Sequence, residues 1–192
     1  MADAMNGLAL GERDGLPDAL RVLLEDCPRE GWQMHPGFDG LVRFWLERHL
    51  MFRDLMDRMG HETERFLDAK SDAVHFARSI SRFGGVFVNQ LHGHHQIEDH
   101  HYFPLLRQKD PRIAAGFDLL DADHHALDGL LNDFVTRANA AIQGVEHAQA
   151  QMLAAQFRDG LADLEHRIGQ HLEDEEDLVV PVILTFGAEG LG

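Results

Sequence analysis

Two stretches of the chain set a histidine and a glutamate four residues apart, each followed by a second acid and, further on, a proline. One is His94-His95-Gln96-Ile97-Glu98-Asp99 with Pro104, the other His171-Leu172-Glu173-Asp174-Glu175-Glu176 with Pro181. Both read His-x-x-x-Glu-acid-x-x-x-x-Pro. On a helix, residues four apart lie on one face, one turn above the other, so such a pair can reach one metal ion. Borderline imidazole with hard carboxylate suits a first-row transition metal.

A second pattern repeats as well. Trp45-His49-Phe52-Met56-Met59 matches Leu120-His124-Leu127-Leu131-Phe134 in spacing, each with one histidine on an apolar stripe. The offset between the halves is 75 residues from His49 to His124 and 77 from His94 to His171, as expected of two helical hairpins of one design. A lone histidine on an apolar stripe is ordinarily a hydrogen-bonded core residue. Four at matched positions, with two glutamates on the same faces, need a common explanation. Buried Glu98 and Glu175 would be costly if unpaired, so a face that keeps both requires a cation or a shared proton.

The elements that must position these residues are helices. From Phe38 onward the apolar period is 3.6 almost throughout, and no stretch alternates convincingly enough for a strand. Four long helices are expected, over about 38–59 with a stop at Gly60, 72–106, from Asp110-Pro111 to about 139, and 145–184, with Gly84-Gly85 as a candidate kink. Short loops make an all-α, up-down-up-down four-helix bundle the expected architecture. Residues 1–37, punctuated by glycine and proline, read as an N-terminal extension with one short helix at 18–25 and little chemistry, and residues 38–192 as the bundle.

Composition narrows the partners. The 192 residues carry 17 Lys+Arg against 33 Asp+Glu, a formal charge of −16, which disfavours nucleic acid and anionic membrane surfaces. A single cysteine, Cys27, cannot form an internal disulfide, and the start lacks a secretory signal pattern, so a cytoplasmic location is expected. The apolar run from Leu178 to Leu184 is interrupted by Pro181 and is far shorter than the roughly 20 residues a membrane helix needs. Histidine is the outlier, 14 residues against a single tyrosine.

A ferritin-like di-iron bundle requires Glu-x-x-His on two helices and single glutamates on the other two. Glu98-Asp99-His100-His101 fits that pattern once. No histidine follows Glu175 or Glu176 at that spacing, and the two remaining helices offer histidine where glutamate is wanted.

Over roughly residues 44–184 these motifs resemble the hemerythrin-like, or HHE cation-binding, domain. The resemblance implies that His49, His94, Glu98, His124, His171 and Glu175 ligate a non-haem di-iron centre with two bridging carboxylates. The chain departs from the oxygen-carrying members on the third helix, where they present two histidines one turn apart. Here His124 has Leu120 before it and Asp128 after it. The cysteine-bearing N-terminal segment of iron-cluster repair members has no match in residues 1–37.

Two further histidines lie beside the second helix's motif. At 100° per residue His101 falls about 40° from the centre of the His94–Glu98 face and His95 about 80°, which favours His101. By height His95 is nearer, about 1.5 Å along the axis from His94, whereas His101 lies about 4.5 Å beyond Glu98. One of them is expected to give a fifth imidazole to the iron bound by this helix, with His101 slightly ahead. Asp99 and Glu176 are expected to hold ligand imidazoles from behind, with direct ligation by Glu176 as a fallback. His61, His75, His92, His100, His147, His166 and the rest of the acidic run 173–177 read as solvated.

Two six-coordinate irons offer roughly 12 positions, of which about two remain after the expected ligands and a bridging oxygen. The expected function is a di-iron module handling dioxygen, nitric oxide or peroxide as sensor, carrier or iron-handling protein. A di-iron peroxidase or oxidase is the enzymatic alternative. A zinc-bound or metal-free structural bundle is the third. With no further domain to carry an output, a sensor would act through a partner or a homodimer.

Overall fold

The structure is a computed structural model that describes residues 8–38 and 40–191. Every regular element among them is helical. After a 3₁₀ turn at Asp18–Leu20 come α1 (Val22–Asp26), a 3₁₀ segment at Arg29–Met34, α2 (Leu41–Leu67) and α3 (Ala73–Ile97). A π turn (Glu98–Tyr102) joins α3 to the short α4 (Phe103–Leu106), and a 3₁₀ turn at Pro111–Ile113 precedes α5 (Ala114–Gln143) and α6 (Ala150–Phe186). No helix of the described residues is long and apolar enough to cross a membrane.

Local chemistry sets three of the helix ends. Asp72 caps α3 by accepting from the His75 amide at 2.8 Å, and Asp110 caps the turn before α5 by accepting from the Arg112 amide at 2.9 Å. Gly60 does not stop α2, because the apolar stripe continues to Thr63 and Phe66, both buried, and one glycine inside a helix costs only about 1 kcal/mol. The helix closes instead at Ala69, in the left-handed region at φ 58°. The Lys70 amide donates to the Arg65 carbonyl at 2.8 Å and the Ala69 amide to Phe66 at 3.1 Å, a Schellman closure. Gly84-Gly85 lies within an unbroken α3.

The chain divides into two compact units. One comprises Leu50–Gly93 and Leu127–Ile168. Its core is aromatic: Phe52 meets Phe87 edge-on at 6.3 Å, Phe87 meets Phe134 at 5.8 Å, and Phe66 stacks on Phe76 at 4.5 Å. The other comprises Met1–His49, His94–Ala126 and Gly169–Gly192 and contains every residue singled out above for metal. Its core includes Trp45, Phe103, Phe117, Leu120, Leu178 and Val182, joined by Leu16, Leu23 and Trp32 from the N-terminal segment. Gly116 packs closely here, since a Cβ at that position would lie 2.8 Å from Leu178 Cδ2 and would displace that side chain.

Among the described residues a π turn interrupts the helical run after α3, and it falls on the motif itself. The Phe103 amide donates to the Glu98 carbonyl, five residues back, so one extra residue enters that turn. Everything after Glu98 is thereby swung out of the register that regular counting gives. The corresponding stretch of α6 remains α-helical through Pro181.

Candidate metal centre

Four helices deliver the buried polar side chains of the first-described motifs. His49 comes from α2, His94 and His95 from α3 with Glu98 in the π turn, His124 from α5, and His171 and Glu175 from α6. His49, Glu98, His171 and Glu175 are 0% exposed. They form two groups: His49, His94, Glu98 and Glu175 in one, and His95, His124 and His171 in the other, with donor atoms in each group within 4.8 Å of one another.

The ring nitrogens pair tip to tip. His49 Nε2 lies 3.1 Å from His94 Nε2, and His124 Nε2 lies 3.1 Å from His171 Nε2. Behind three of these rings stands a carboxylate. His49 Nδ1 is 2.9 Å from Glu176 Oε1, His124 Nδ1 is 2.6 Å from Asp99 Oδ1, and His171 Nδ1 is 3.3 Å from Asp123 Oδ2. An ionised carboxylate only accepts, so it holds the proton on Nδ1 and leaves Nε2 of a neutral ring as a bare lone pair. His124 and His171, both held this way, bring two such lone pairs to 3.1 Å, where they repel unless a proton or a cation stands between them.

The glutamates span the two groups. Glu98 places Oε1 at 3.0 Å from His94 Nε2 and Oε2 at 3.7 Å from His124 Nε2. Glu175 places Oε1 at 3.5 Å from His49 Nε2 and Oε2 at 3.5 Å from His171 Nε2. Trp45 Nε1 donates to Glu175 Oε1. The other three oxygens are buried with no N–H donor to satisfy them, the two carboxyls lying close enough to share a proton, and His95 Nε2 is buried without a partner. Orphaned buried acceptors that converge with imidazole nitrogens are what a cation would satisfy, so the donor set fits metal.

The electrostatics of these side chains point the same way. Burial, with Glu175 beside it, pushes the Glu98 carboxyl well above the usual carboxylate range. For Glu175 burial pushes upward too, but His49, His94 and His171 outweigh it and hold its pKa well below that range. Burial lowers His94 to about 3 and takes His95 well below its ordinary value. Against the same burial, Glu175 and Glu176 raise His49. These neighbours therefore favour the neutral form of Glu98 and the charged form of Glu175.

Of the residues singled out from sequence, His49, His94, Glu98, His124, His171, Glu175 and His95 come together. His101 does not. It is exposed, with its ring 5.1 Å from Tyr102, because the π turn rotates it off the ligand face. His95 instead stacks on His124 at 4.0 Å, in the group opposite to His94. The fifth imidazole thus lies with His124 and His171 and not with the histidine next to it in sequence.

Asp99 and Glu176 stand behind imidazoles, as their place in the repeat suggests. Asp123 does the same for His171, and its only sequence signal is an acid adjoining His124. The acidic run at 173–177 is not a solvated face. Glu173 is exposed, but Asp174 and Glu176 are buried and Asp177 is partly covered. Arg13 and Arg29 from the N-terminal segment hold these acids, so that segment carries more chemistry than its composition suggests. His61, His75, His92, His100, His147 and His166 are exposed. Cys27 is half-buried with its thiol pKa raised by burial, and its carbonyl accepts from Trp32 Nε1 at 2.8 Å.

Residues 40–183 match the family profile described as hemerythrin HHE cation binding domain. No curated protein and no solved structure gives a significant match.

Proposed function

The chain belongs to the hemerythrin HHE cation-binding family, and on that premise we propose that it holds two iron ions and handles a small oxidant: dioxygen, nitric oxide or peroxide. In this proposal α2, α3, α5 and α6 form an up-down-up-down four-helix bundle around the centre. His49 and His94 would hold one iron, and His95, His124 and His171 the other, with Glu98 and Glu175, which face both groups, helping to hold the pair.

The observation that carries the proposal is that each glutamate turns one oxygen toward each histidine group, while three of the four oxygens have no N–H donor to satisfy them. A structural zinc site is closed by four ligands around one ion, which does not account for two carboxylates each shared between two imidazole groups.

A bound iron pair would supply open coordination positions and one-electron redox chemistry. The chain's own residues do the rest. Glu176, Asp99 and Asp123 fix three imidazoles in the tautomer that presents Nε2, and raise their basicity. The indole N–H of Trp45 pins one oxygen of Glu175. Phe103, stacked on His124 at 5.5 Å, and Trp45, 6.0 Å from His94, wall the centre with apolar surface that excludes water.

Iron loading of the whole protein under anaerobic conditions, followed by elemental analysis and an absorption spectrum in air, tests this reading. About two irons per chain and a coloured product are expected. Zinc retained against excess iron, or no iron, overturns it.

A further inference from the structure

Two arginines that precede the family-matched region end on the carboxylates that stand behind the ligand histidines. Arg13 is 7% exposed. Its Nη1 donates to Asp123 Oδ1 at 2.9 Å and its Nη2 to Asp123 Oδ2, while Nε donates to Asp174 Oδ2 at 2.9 Å. Asp123 in turn faces His171 Nδ1 at 3.3 Å. The backbone around Arg13 is tied down as well: Nη1 donates to the Leu8 carbonyl at 2.7 Å, Gln170 donates to the Arg13 carbonyl, and Asp174 accepts from the Leu16 amide. Arg29 repeats the device at the other group. Its Nη1 donates to Glu176 Oε2 at 2.8 Å and its Nε to Asp177 Oδ1 at 2.6 Å, and Glu176 Oε1 faces His49 Nδ1 at 2.9 Å.

The structure assigns Arg13 and Arg29 the role of positioning residues for the metal centre, each fixing through one buried carboxylate the imidazole of one ligand histidine. This rests on the metal reading above. A carboxylate buried beside an imidazole can rotate, and the ring it holds then turns with it, so that Nε2 points away from the ion. A guanidinium fork engaging both oxygens of Asp123 removes that rotation. Arg29, through one oxygen of Glu176, leaves the other oxygen for His49. The two arms reach different groups, His171 in one and His49 in the other. Residues 8–37 are thereby part of the centre's outer support, and are more than a covering for it.

If the arginines only fasten the N-terminal segment, their removal lowers stability and leaves metal affinity alone. The full-length protein is stripped of metal and titrated with Co(II), following the visible bands, for the parent, Arg13→Gln, Arg29→Gln, Arg13→Lys and Arg29→Lys. Far-UV circular dichroism and the melting temperature of the metal-free forms report folding. Each glutamine variant is expected to bind one of two equivalents about 10–100-fold more weakly. The bands of that equivalent shift, and the affected equivalent differs between the two variants. The lysine variants recover part of the affinity. Folded glutamine variants that bind both equivalents with parental affinity and bands overturn the assignment while leaving the metal reading intact. A parent that binds no Co(II) overturns both. Should Arg13→Gln not fold, Arg29→Gln decides, because the Arg29 side chain is 36% exposed and its replacement leaves less buried charge unpaired. Parental binding there overturns the assignment.

Discussion

His94 and His95 are consecutive residues of α3, yet their imidazoles serve opposite sides of the centre. His94 meets His49 at 3.1 Å between ring nitrogens, whereas His95 lies flat on His124 with centroids 4.0 Å apart. Adjacent residues on a helix diverge by about 100°, so a helix aimed between the two groups sends one side chain to each. Replacing His95 by Ala is expected to lower iron content to about one per chain or to change the Mössbauer signature of one iron. Replacing His101 by Ala is expected to leave both unchanged. Identical iron content and spectra in both variants would remove His95 from the ligand set.

Glu98 and Glu175 are related by the repeat and by geometry, each spanning both groups. Ala at either position should cost both irons, since in the proposed centre each would be shared by both. Ala at Glu173, which is exposed, should cost neither. Asp177 is a poor control because it is paired with Arg29 at 2.6 Å. Equal iron content in Glu98→Ala, Glu175→Ala and Glu173→Ala would mean that the carboxylates were assigned to the wrong face.

Much of this centre is legible in the sequence because its information is periodic. His49, His124, and the two His-x-x-x-Glu pairs stand on 3.6-residue stripes, and regular helices deliver what regular counting says. What cannot be counted is the π turn, a break of one residue at Glu98 that leaves no mark in the stripe before it and redirects His101 after it. Nor can Arg13 be counted. It reaches Asp123 and Asp174 across 110 and 161 residues of chain, and a lone arginine in a glycine-rich segment carries no pattern that names a distant carboxylate. Asp174 and Asp177, in the rest of the acidic run, read as solvated because nothing in that stretch of sequence shows that another segment covers it.

Protons and metal compete for the same atoms here, and the signs can be followed group by group. In the metal-free protein Glu98 and His49 have raised pKa values, so the stability they contribute is complete at low pH and lost as pH rises through those values. His94, His95 and His171 are lowered, His94 to about 3, so they remove stability as pH falls below about 6.5, where the unfolded histidines take up protons. The melting temperature of the metal-free protein should therefore peak near neutral pH and decline on both sides. Metal binding must displace the Glu98 proton, so affinity should climb with pH, by up to about tenfold per unit for each proton released, until that group is ionised. Calorimetric titration in two buffers of different ionisation enthalpy counts the protons. A count of zero would contradict the raised Glu98 pKa.

The last expectation concerns the residue that closes α2. Ala69 sits at φ 58°, a conformation that costs a residue with a Cβ about 1 kcal/mol and glycine almost nothing. The Schellman bonds from Lys70 and Ala69 back to Arg65 and Phe66 hold it there, and these are backbone bonds that any residue can make. Ala69→Gly keeps them and relieves the strain, but it also gives the unfolded chain more freedom, which offsets part of the gain. The net expectation is a stabilisation of about 0.5 kcal/mol, read as a higher urea midpoint at unchanged slope. Because residue 69 lies in the unit that contains none of the proposed ligands, iron content should not move. A lower midpoint would mean that the Ala69 methyl makes a packing contact worth more than the strain it carries.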